Sequence, residues 1–421
     1  MNYLKKYANE NKLPIMDQLT FERITNTIGK EKFREDLAEY ISVVRPVYPL
    51  KQISYDIMRQ SFKSLQKQDV WEYVKPLEQL EKNVKEKYDD LKYNFKDHGL
   101  GVIGAPSIYN DVSNYFHQDL RLNCSSYGFK APLDVWYNGT AKDIWRCLGP
   151  IWRGINGMKP AMIDGKQELR GGALHEASYM SAFRLGTYIA TQFKPNVAKA
   201  IYQMTDAKRV LDTSCGWGDR LAGFFTSDAE EYIGCDPNPN TYKLYMKQIE
   251  IYNSFLPEDK QKKVTIYNCG AEDLPWDEIK DIDCAFTSPP YFSTERYNEG
   301  GEKEENQSWF KFDEYAKWRD DFYLPVAQKS FERSKHMFVN IMDPTIKGKR
   351  YFSCDELVDS LKEHFVGQIG MRIMQRPKSD KLFESEEAKA EFMNRIFIEN
   401  VWCFSKEKID YFRHSRKATL F

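Results

Sequence analysis

Four short segments of this 421-residue chain place polar residues directly after apolar runs, where they could do chemistry. The most informative is Asp283-Cys284-Ala285-Phe286-Thr287-Ser288-Pro289-Pro290-Tyr291. Two prolines at a strand end make a rigid elbow without N–H groups. Such an elbow holds the Ser288 side chain and the neighbouring carbonyls, Pro289 among them, as acceptors beside the Tyr291 ring. Those are the needs of a site that grips a planar exocyclic amine. Both amino hydrogens go to oxygen acceptors, the nitrogen lone pair faces an electrophile, and the ring stacks on the aromatic side chain. The segment Val210-Leu211-Asp212-Thr213-Ser214-Cys215-Gly216-Trp217-Gly218 supplies an acid and then a G-x-G turn. Its glycines permit positive φ and a close approach of backbone to a ligand, although a tight strand-to-helix turn without a ligand has the same pattern. Asp236 follows the run Tyr232-Ile233-Gly234-Cys235. An acid there can bind both hydroxyls of a ribose, or it can cap a helix. Asp273, after Tyr267-Asn268-Cys269-Gly270, could accept from an adenine amino group with Leu274 against the ring, or belong to a plain polar loop. In register, the four elements favour a nucleoside-type cofactor over coincidence.

These residues need a frame. After Lys208, apolar runs alternate with helical patterns: RVLDTS, EYIGCD, VTIYNC, IDCAFTSPP, MFVNIMD and RIFIENVWCF. Alternation of this kind predicts an α/β fold with a doubly wound, parallel sheet, in which ligands bind at the carboxyl ends of the strands. Upstream, Leu77, Leu80, Val84, Tyr88, Leu91 and Phe95 recur at spacings of three and four, which predicts a helix of about five turns, ended by His98-Gly99. Residues 1–170 read as a mainly helical, loop-rich region and residues 171–421 as the domain that carries the chemistry. A helical pattern from His175 to Gln203 breaks at Lys194-Pro195.

Hydrophobic residues make up 42% and charged residues 29%, an ordinary globular composition that excludes a disordered chain. The 61 basic and 62 acidic side chains nearly cancel, but residues 1–200 carry an excess of +6 and the rest −7. A mildly basic front half fits a polyanion partner, with Arg153, Lys159 and Arg170 as candidate phosphate contacts. No apolar run approaches the about 18 residues needed to span a bilayer, and the N-terminus lacks a signal-peptide pattern, so a cytoplasmic protein is expected. The eight cysteines show no CxxC pair, which points to reduced thiols and away from a zinc site. The polar, acidic stretch Ser293 to Ser308 reads as a mobile loop over the substrate site, and Phe292 as either pocket or core.

The segment from about 175 to 406 resembles the amino-methyltransferases that use S-adenosylmethionine, the DNA N4-cytosine and N6-adenine enzymes. Asp212 to Gly218 resembles their first motif, with Ser214 where phenylalanine is usual. Asp236 matches the ribose-binding acid, Asp273 the acid near adenine, and Ser288-Pro289-Pro290-Tyr291 the catalytic tetrapeptide. The Ser-first form is more typical of the N4-cytosine enzymes. Thr191-Gln192-Phe193-Lys194-Pro195 resembles the segment that closes over the methionine part of the cofactor, which adds Thr191 and Phe193 to the cofactor residues; Arg395 to Lys406 resembles the closing strand of the domain. The resemblance implies a Rossmann-like methyltransferase sheet and transfer of a methyl group to an exocyclic amine of a DNA base that is flipped from the helix. Target recognition would then fall to residues 1–170, because 76 residues between Asp212 and Ser288 leave no room for a large insertion. The same tetrapeptide suits an RNA or protein amide methyltransferase, and an inactive nucleic-acid-binding relative is a further alternative. A nicotinamide oxidoreductase does not fit: the third glycine of its fingerprint is missing and Ser-Pro-Pro-Tyr is unexplained.

Overall fold

The computed structural model describes residues 2–86, 88–126, 129–149, 159–163, 166–170, 173–374 and 383–418. Arg153 lies outside them, and Lys159 and Arg170 pair across a two-stranded ribbon, Lys159–Ile163 with Lys166–Arg170. The chain divides into two compact units, Met1–Gln52 with Asp119–Thr191, and Ile53–Gln118 with Gln192–Phe421.

The first unit is helical. Its main elements are Gln18–Ile28, Lys30–Val44, Pro132–Asn138, Ala141–Cys147 and Glu176–Gly186. Asp17 caps the first of these by accepting from Thr20 N at 2.8 Å. The core joins Phe33, Ile41, Trp136, Tyr179 and Phe183, with the Trp136 indole donating to the Pro46 carbonyl at 2.6 Å. Arg45 closes the end of its helix by donating to the carbonyls of Trp136 and Gly139 at 2.6 and 2.7 Å.

The second unit is built on one ten-stranded sheet. In chain order its strands are β1 (Val74–Pro76), β2 (Val84–Lys85), β3 (Gly99–Gly104), β4 (Arg209–Asp212), β5 (Glu231–Cys235), β6 (Lys263–Tyr267), β7 (Ile282–Thr287), β8 (Ser334–Asn340), β9 (Phe365–Ile373) and β10 (Ile396–Ser405). Their spatial order is β1-β3-β9-β10-β8-β7-β4-β5-β6, with β2 beside β10. Strands β4 to β8 run parallel, β10 runs antiparallel to β8 and β9, and β1 runs antiparallel to β3. This is the expected doubly wound, Rossmann-like α/β arrangement. The chain moves outward from β4 through β5 to β6, then returns to lay β7 on the other side of β4. The reversal opens a crevice above the carboxyl ends of β4 and β7, the place where doubly wound sheets bind ligands.

Side-chain alternation splits the strands between two apolar layers, as expected for a sheet covered on both faces. Val210, Tyr232, Cys284, Phe286, Phe338 and Cys403 enter one core, and Leu211, Ile233, Ala285, Met337, Val339 and Trp402 enter the other. Each of these side chains is at least nine-tenths buried.

Two upstream readings change. The spaced apolar residues from Leu77 to Phe95 do not form one long helix. They fold as short 3-10 turns at Leu77–Gln79 and Glu81–Asn83, then β2, and a single helical turn at Phe95–His98. The reason is that the stripe serves two layers: Leu77, Leu80 and Val84 pack with Phe95, Val102, Ile396 and Ile398, whereas Leu91 joins the core on the other side. Residues 53–118 also group with the sheet and not with the residues around them, because β1 and β3 extend it past β9. Gly101 permits this, since a Cβ there would meet Phe412 at 2.3 Å and the Lys75 carbonyl at 2.5 Å.

Candidate active site

The site assembles at the crevice between β4 and β7. Thr213 and Thr287, each just past or at its strand end, are bridged hydroxyl to hydroxyl at 3.1 Å. The turn after β4 then carries Gly216 and Gly218 in the left-handed region, at φ 57° and 70°. Gly218 is needed for space as well as for φ. A Cβ there would meet Gln248 Oε1 at 2.2 Å and His117 Nε2 at 2.8 Å. His117 and Gln248 hold one another at 3.0 Å under the turn, and burial pushes the His117 imidazole down to about 4. The Cβ position of Gly216, in contrast, has nothing closer than 3.7 Å. That residue is half-buried and faces an open approach.

Asp212 is fully buried and its carboxylate is occupied by the protein. It accepts from Arg220 Nε at 2.8 Å and Nη2 at 3.2 Å, from the Tyr232 hydroxyl at 2.6 Å and from Ser214 N at 3.1 Å. Arg220 also donates to the Ser214 carbonyl, and its guanidinium lies 5.4 Å from the centre of the Phe193 ring. The first-motif acid therefore braces the turn from behind, and Arg220 joins it to the upstream segment through Phe193. Ser214 stays half-buried beside the crevice. Thr191 is exposed.

Asp236, at the end of β5, is half-buried and faces the turn. Its Oδ2 accepts from Gly216 N at 3.1 Å and its Oδ1 from Asn238 N at 2.9 Å; the Tyr245 and Thr241 hydroxyls lie within 3.1 Å of these oxygens but have closer acceptors in the Gly216 and Asn238 carbonyls. Burial raises its carboxyl to about 6, with these hydrogen bonds working in the opposite direction. The acid thus closes the loop from β5 back to the glycine turn. Asp273 is exposed and ion-paired to Lys311 at 2.8 Å, as is Glu272 at 2.6 Å. Leu274 is buried beneath it.

The elbow lies across the crevice. Ser288 and Tyr291 are half-buried and Pro289 is buried. The Ser288 hydroxyl donates to Asn340 Oδ1 at 3.4 Å, and the Tyr291 hydroxyl donates to Glu399 Oε1 at 2.9 Å. Burial and the Glu399 carboxylate keep the Tyr291 phenol well above its ordinary range, so it stays a neutral donor. Phe292 belongs to the core: it is buried against the rings of Tyr315, Trp318 and Tyr351 at 5.6 to 5.9 Å. Its backbone holds φ at 54°, an uncommon value for a bulky residue, and the ring cluster fixes the turn that carries Tyr291.

The segment after the elbow is packed where a mobile loop was expected. The Trp309 indole donates to the Tyr297 carbonyl at 2.9 Å, Tyr297 sets its ring 5.8 Å from Trp217, and Asn240 donates to Asn298 at 3.4 Å. Its aromatic residues give an otherwise polar stretch apolar anchors.

Asn340, Glu399, Arg220 and Tyr245 were not among the residues singled out in sequence. Asn340 and Glu399 follow or sit within apolar runs that read as strands, and the strand-end rule could have flagged Asn340. Among the described residues no group of three or more His, Cys, Asp or Glu side chains is placed to hold a metal ion, and no helix is long and apolar enough to cross a membrane.

No protein-family profile matches the chain, and no curated protein matches it in sequence. Among solved structures it is similar to the N-terminal domain of EvdMO1 with SAH bound, at a TM-score of 0.31 and 10% identity over 63% of this chain and 97% of that one. It is also similar to a putative RNA methyltransferase from Pyrococcus horikoshii (TM-score 0.29, 13% identity, 51% of this chain and 83% of that one). A third is the methyltransferase domain of a bacterial Hen1 protein (TM-score 0.29, 13% identity, 50% and 96%). Likenesses this distant assign neither a substrate nor a reaction.

Proposed function

We propose that this chain is an S-adenosylmethionine-dependent methyltransferase acting on an exocyclic amino group of a nucleic-acid base, DNA before RNA and cytosine N4 before adenine N6. One observation carries the reading: an acceptor-bearing Ser-Pro-Pro-Tyr elbow faces a left-handed glycine turn, tied to a strand-end acid, across the switch point of a doubly wound sheet. The residues present fit the cofactor. Gly216 leaves room for close approach, and Asp236 is the half-buried acid beside it. Gly216 N and Asn238 N each take one lone pair of its oxygens, and the Tyr245 and Thr241 hydroxyls have carbonyl acceptors to turn to, so a ribose diol would take the positions those hydroxyls give up. Ser214, Gly216, Gly218 and Phe193 would line the methionine side, with Asp212 acting through Arg220. Asp273, bound to Lys311, would meet the adenine end as part of an ion pair.

S-adenosylmethionine held there would supply an electrophilic methyl carbon, to which the amine lone pair would bond as the C–S electron pair passes to sulfur and the surplus proton to water. The protein's part is to hold the amine. Ser288 and the Pro289 carbonyl would accept its two hydrogens and favour the tetrahedral, nucleophilic nitrogen. Positioning two reactants in this way contributes roughly 7–11 kcal/mol to lowering a barrier. A base within a duplex must be flipped into such a pocket and stacked, here on Tyr291. Residues 1–170 and their basic side chains would provide target recognition. The Ser-first tetrapeptide supports the cytosine preference.

The test is incubation with isotope-labelled S-adenosylmethionine and, separately, DNA, RNA and protein, followed by digestion and identification of the labelled product. Label in N4-methylcytosine from DNA is expected. Label only in RNA or protein moves the assignment to that substrate, and no transfer to any of the three overturns it.

A further inference from the structure

The elbow holds two hydroxyl groups, and the structure shows which acceptors lie within reach of each. A serine hydroxyl has one hydrogen and two lone pairs, so the partner that takes its hydrogen decides what it offers to a ligand. Asn340 ends β8, the strand beside β7, and is 2% exposed. Its amide has one orientation that satisfies both ends. Nδ2 donates to the Asn400 carbonyl at 3.0 Å, which leaves Oδ1 facing the elbow as an acceptor. The Ser288 hydroxyl has that oxygen within reach at 3.4 Å, with the Tyr291 hydroxyl also beside it. The single Tyr291 hydrogen has its shortest acceptor in Glu399 Oε1 at 2.9 Å, ahead of the Asn340 carbonyl at 3.3 Å and Oδ1 at 3.5 Å. Pro289 and Pro290 have no N–H to give. Both side-chain hydrogens of the tetrapeptide that could be donated therefore have acceptors within the protein.

We propose that Asn340 is a positioning residue of this site: by accepting the Ser288 hydrogen it makes that hydroxyl a pure acceptor, so the elbow selects a nucleophile carrying two N–H donors over a hydroxyl nucleophile carrying one. The role rests on the methyl-transfer reading above. It adds a residue from a neighbouring strand and a reason for amine over alcohol. Without Asn340 Oδ1 the Ser288 hydrogen is free to point at the substrate nitrogen, where it would tie up the lone pair that must attack.

The experiment is single-turnover methyl transfer by the full chain with Asn340→Ala, Ser288→Ala and the double variant, alongside cofactor affinity. Asn340→Ala is expected to slow transfer about 10- to 100-fold, the range for a lost oriented hydrogen bond. Cofactor Kd should stay within about twofold, and in the Ser288→Ala background Asn340→Ala should cost nothing more. Asn340→Asp, which keeps an oxygen acceptor at the position of Oδ1, should recover most of the rate. An equal loss in both backgrounds, or an aspartate variant as slow as the alanine one, overturns the role of Asn340 while leaving the methyltransferase intact. If Ser288→Ala leaves no measurable transfer, or Asn340→Ala does not melt cooperatively, the aspartate variant decides alone: near-native rate supports the role, and a loss as large as that of Ser288→Ala overturns it. Absence of transfer by the unmodified chain to DNA, RNA and protein overturns the underlying reading and this role with it.

Discussion

Lowering the pH from 7.5 to 5 should weaken cofactor binding through one carboxyl group, Asp236. Its hydrogen bonds and its burial act in opposite directions, and burial wins, placing the carboxyl at about 6 where an exposed aspartate titrates near 3.8. A ribose diol donates to the ionised form, so binding needs the proton to leave. Above pH 6 the acid is ionised and affinity is flat; below it, each further pH unit costs about a factor of ten, since only the shrinking ionised fraction binds. At pH 5 the apparent Kd should be about tenfold weaker than at pH 7.5. The free protein shows the opposite linkage at this group: an acid whose folded pKa is raised makes the fold hold more protons than the unfolded chain, so its contribution to stability falls as pH rises from about 4 to about 6. Titration calorimetry with S-adenosylhomocysteine across this range checks the claim, and Asp236→Asn provides the control, with weaker but pH-independent binding. A wild-type Kd that stays constant from pH 7.5 to 5, or a pH dependence that survives in Asp236→Asn, would refute the reasoning.

Three further outcomes follow from the geometry. Asp212→Ala strands the buried Arg220 guanidinium and should destabilise the protein by about 3–5 kcal/mol, read from urea melts; a loss of cofactor binding with unchanged stability would show the acid to be a ligand contact instead. Gly218→Ala must adopt φ near 70° and drive a methyl into Gln248 and His117, so it should cost about 1–3 kcal/mol in the same assay, whereas Gly216→Ala, with open space at its Cβ, should cost less. His117, held neutral by burial with its pKa near 4, makes the unfolded chain bind more protons between pH 6.5 and 4. Stability should therefore drop by up to about 3 kcal/mol as pH falls through that window, and His117→Gln should flatten the slope seen in thermal melts.

The strands that carry the site were legible because buried parallel strands read as short apolar runs and their ligand-facing residues come directly after them. RVLD, EYIGC, KVTIY, IDCAFT, SKHMFVN and IFIENVWCFS are all strands, and the G-x-G turn, Asp236 and the Ser288 elbow do meet at the switch point. What escaped was set by contacts distant in sequence. GLGVIG is a strand because Gly101 lets Phe412 lie against it, and a glycine-rich run carries no local sign of such a partner. FVGQIGMRI likewise hides its strand behind two glycines. The Leu77–Phe95 stripe has helical spacing by coincidence of serving two layers. The Arg220 clamp on Asp212 and the Asn340 and Glu399 contacts of the elbow link separate strands and helices, so no spacing rule could reveal them. The ion pair of Asp273 with Lys311 was equally invisible, since the lysine lies 38 residues downstream.

The pairing of β3 with β9 also governs when the molecule can form. Gly99 to Gly104 pair with β1 on one side but meet their other neighbour only at Gln368 to Arg372, so during synthesis an early two-stranded ribbon emerges with one side bare and nothing yet made to cover it. Contacts this remote in sequence slow folding, and an uncovered strand invites pairing with other chains. Expression from a start after residue 118 would then leave β9 as the unprotected rim of the sheet, and aggregation in place of a smaller folded protein is the foreseeable result.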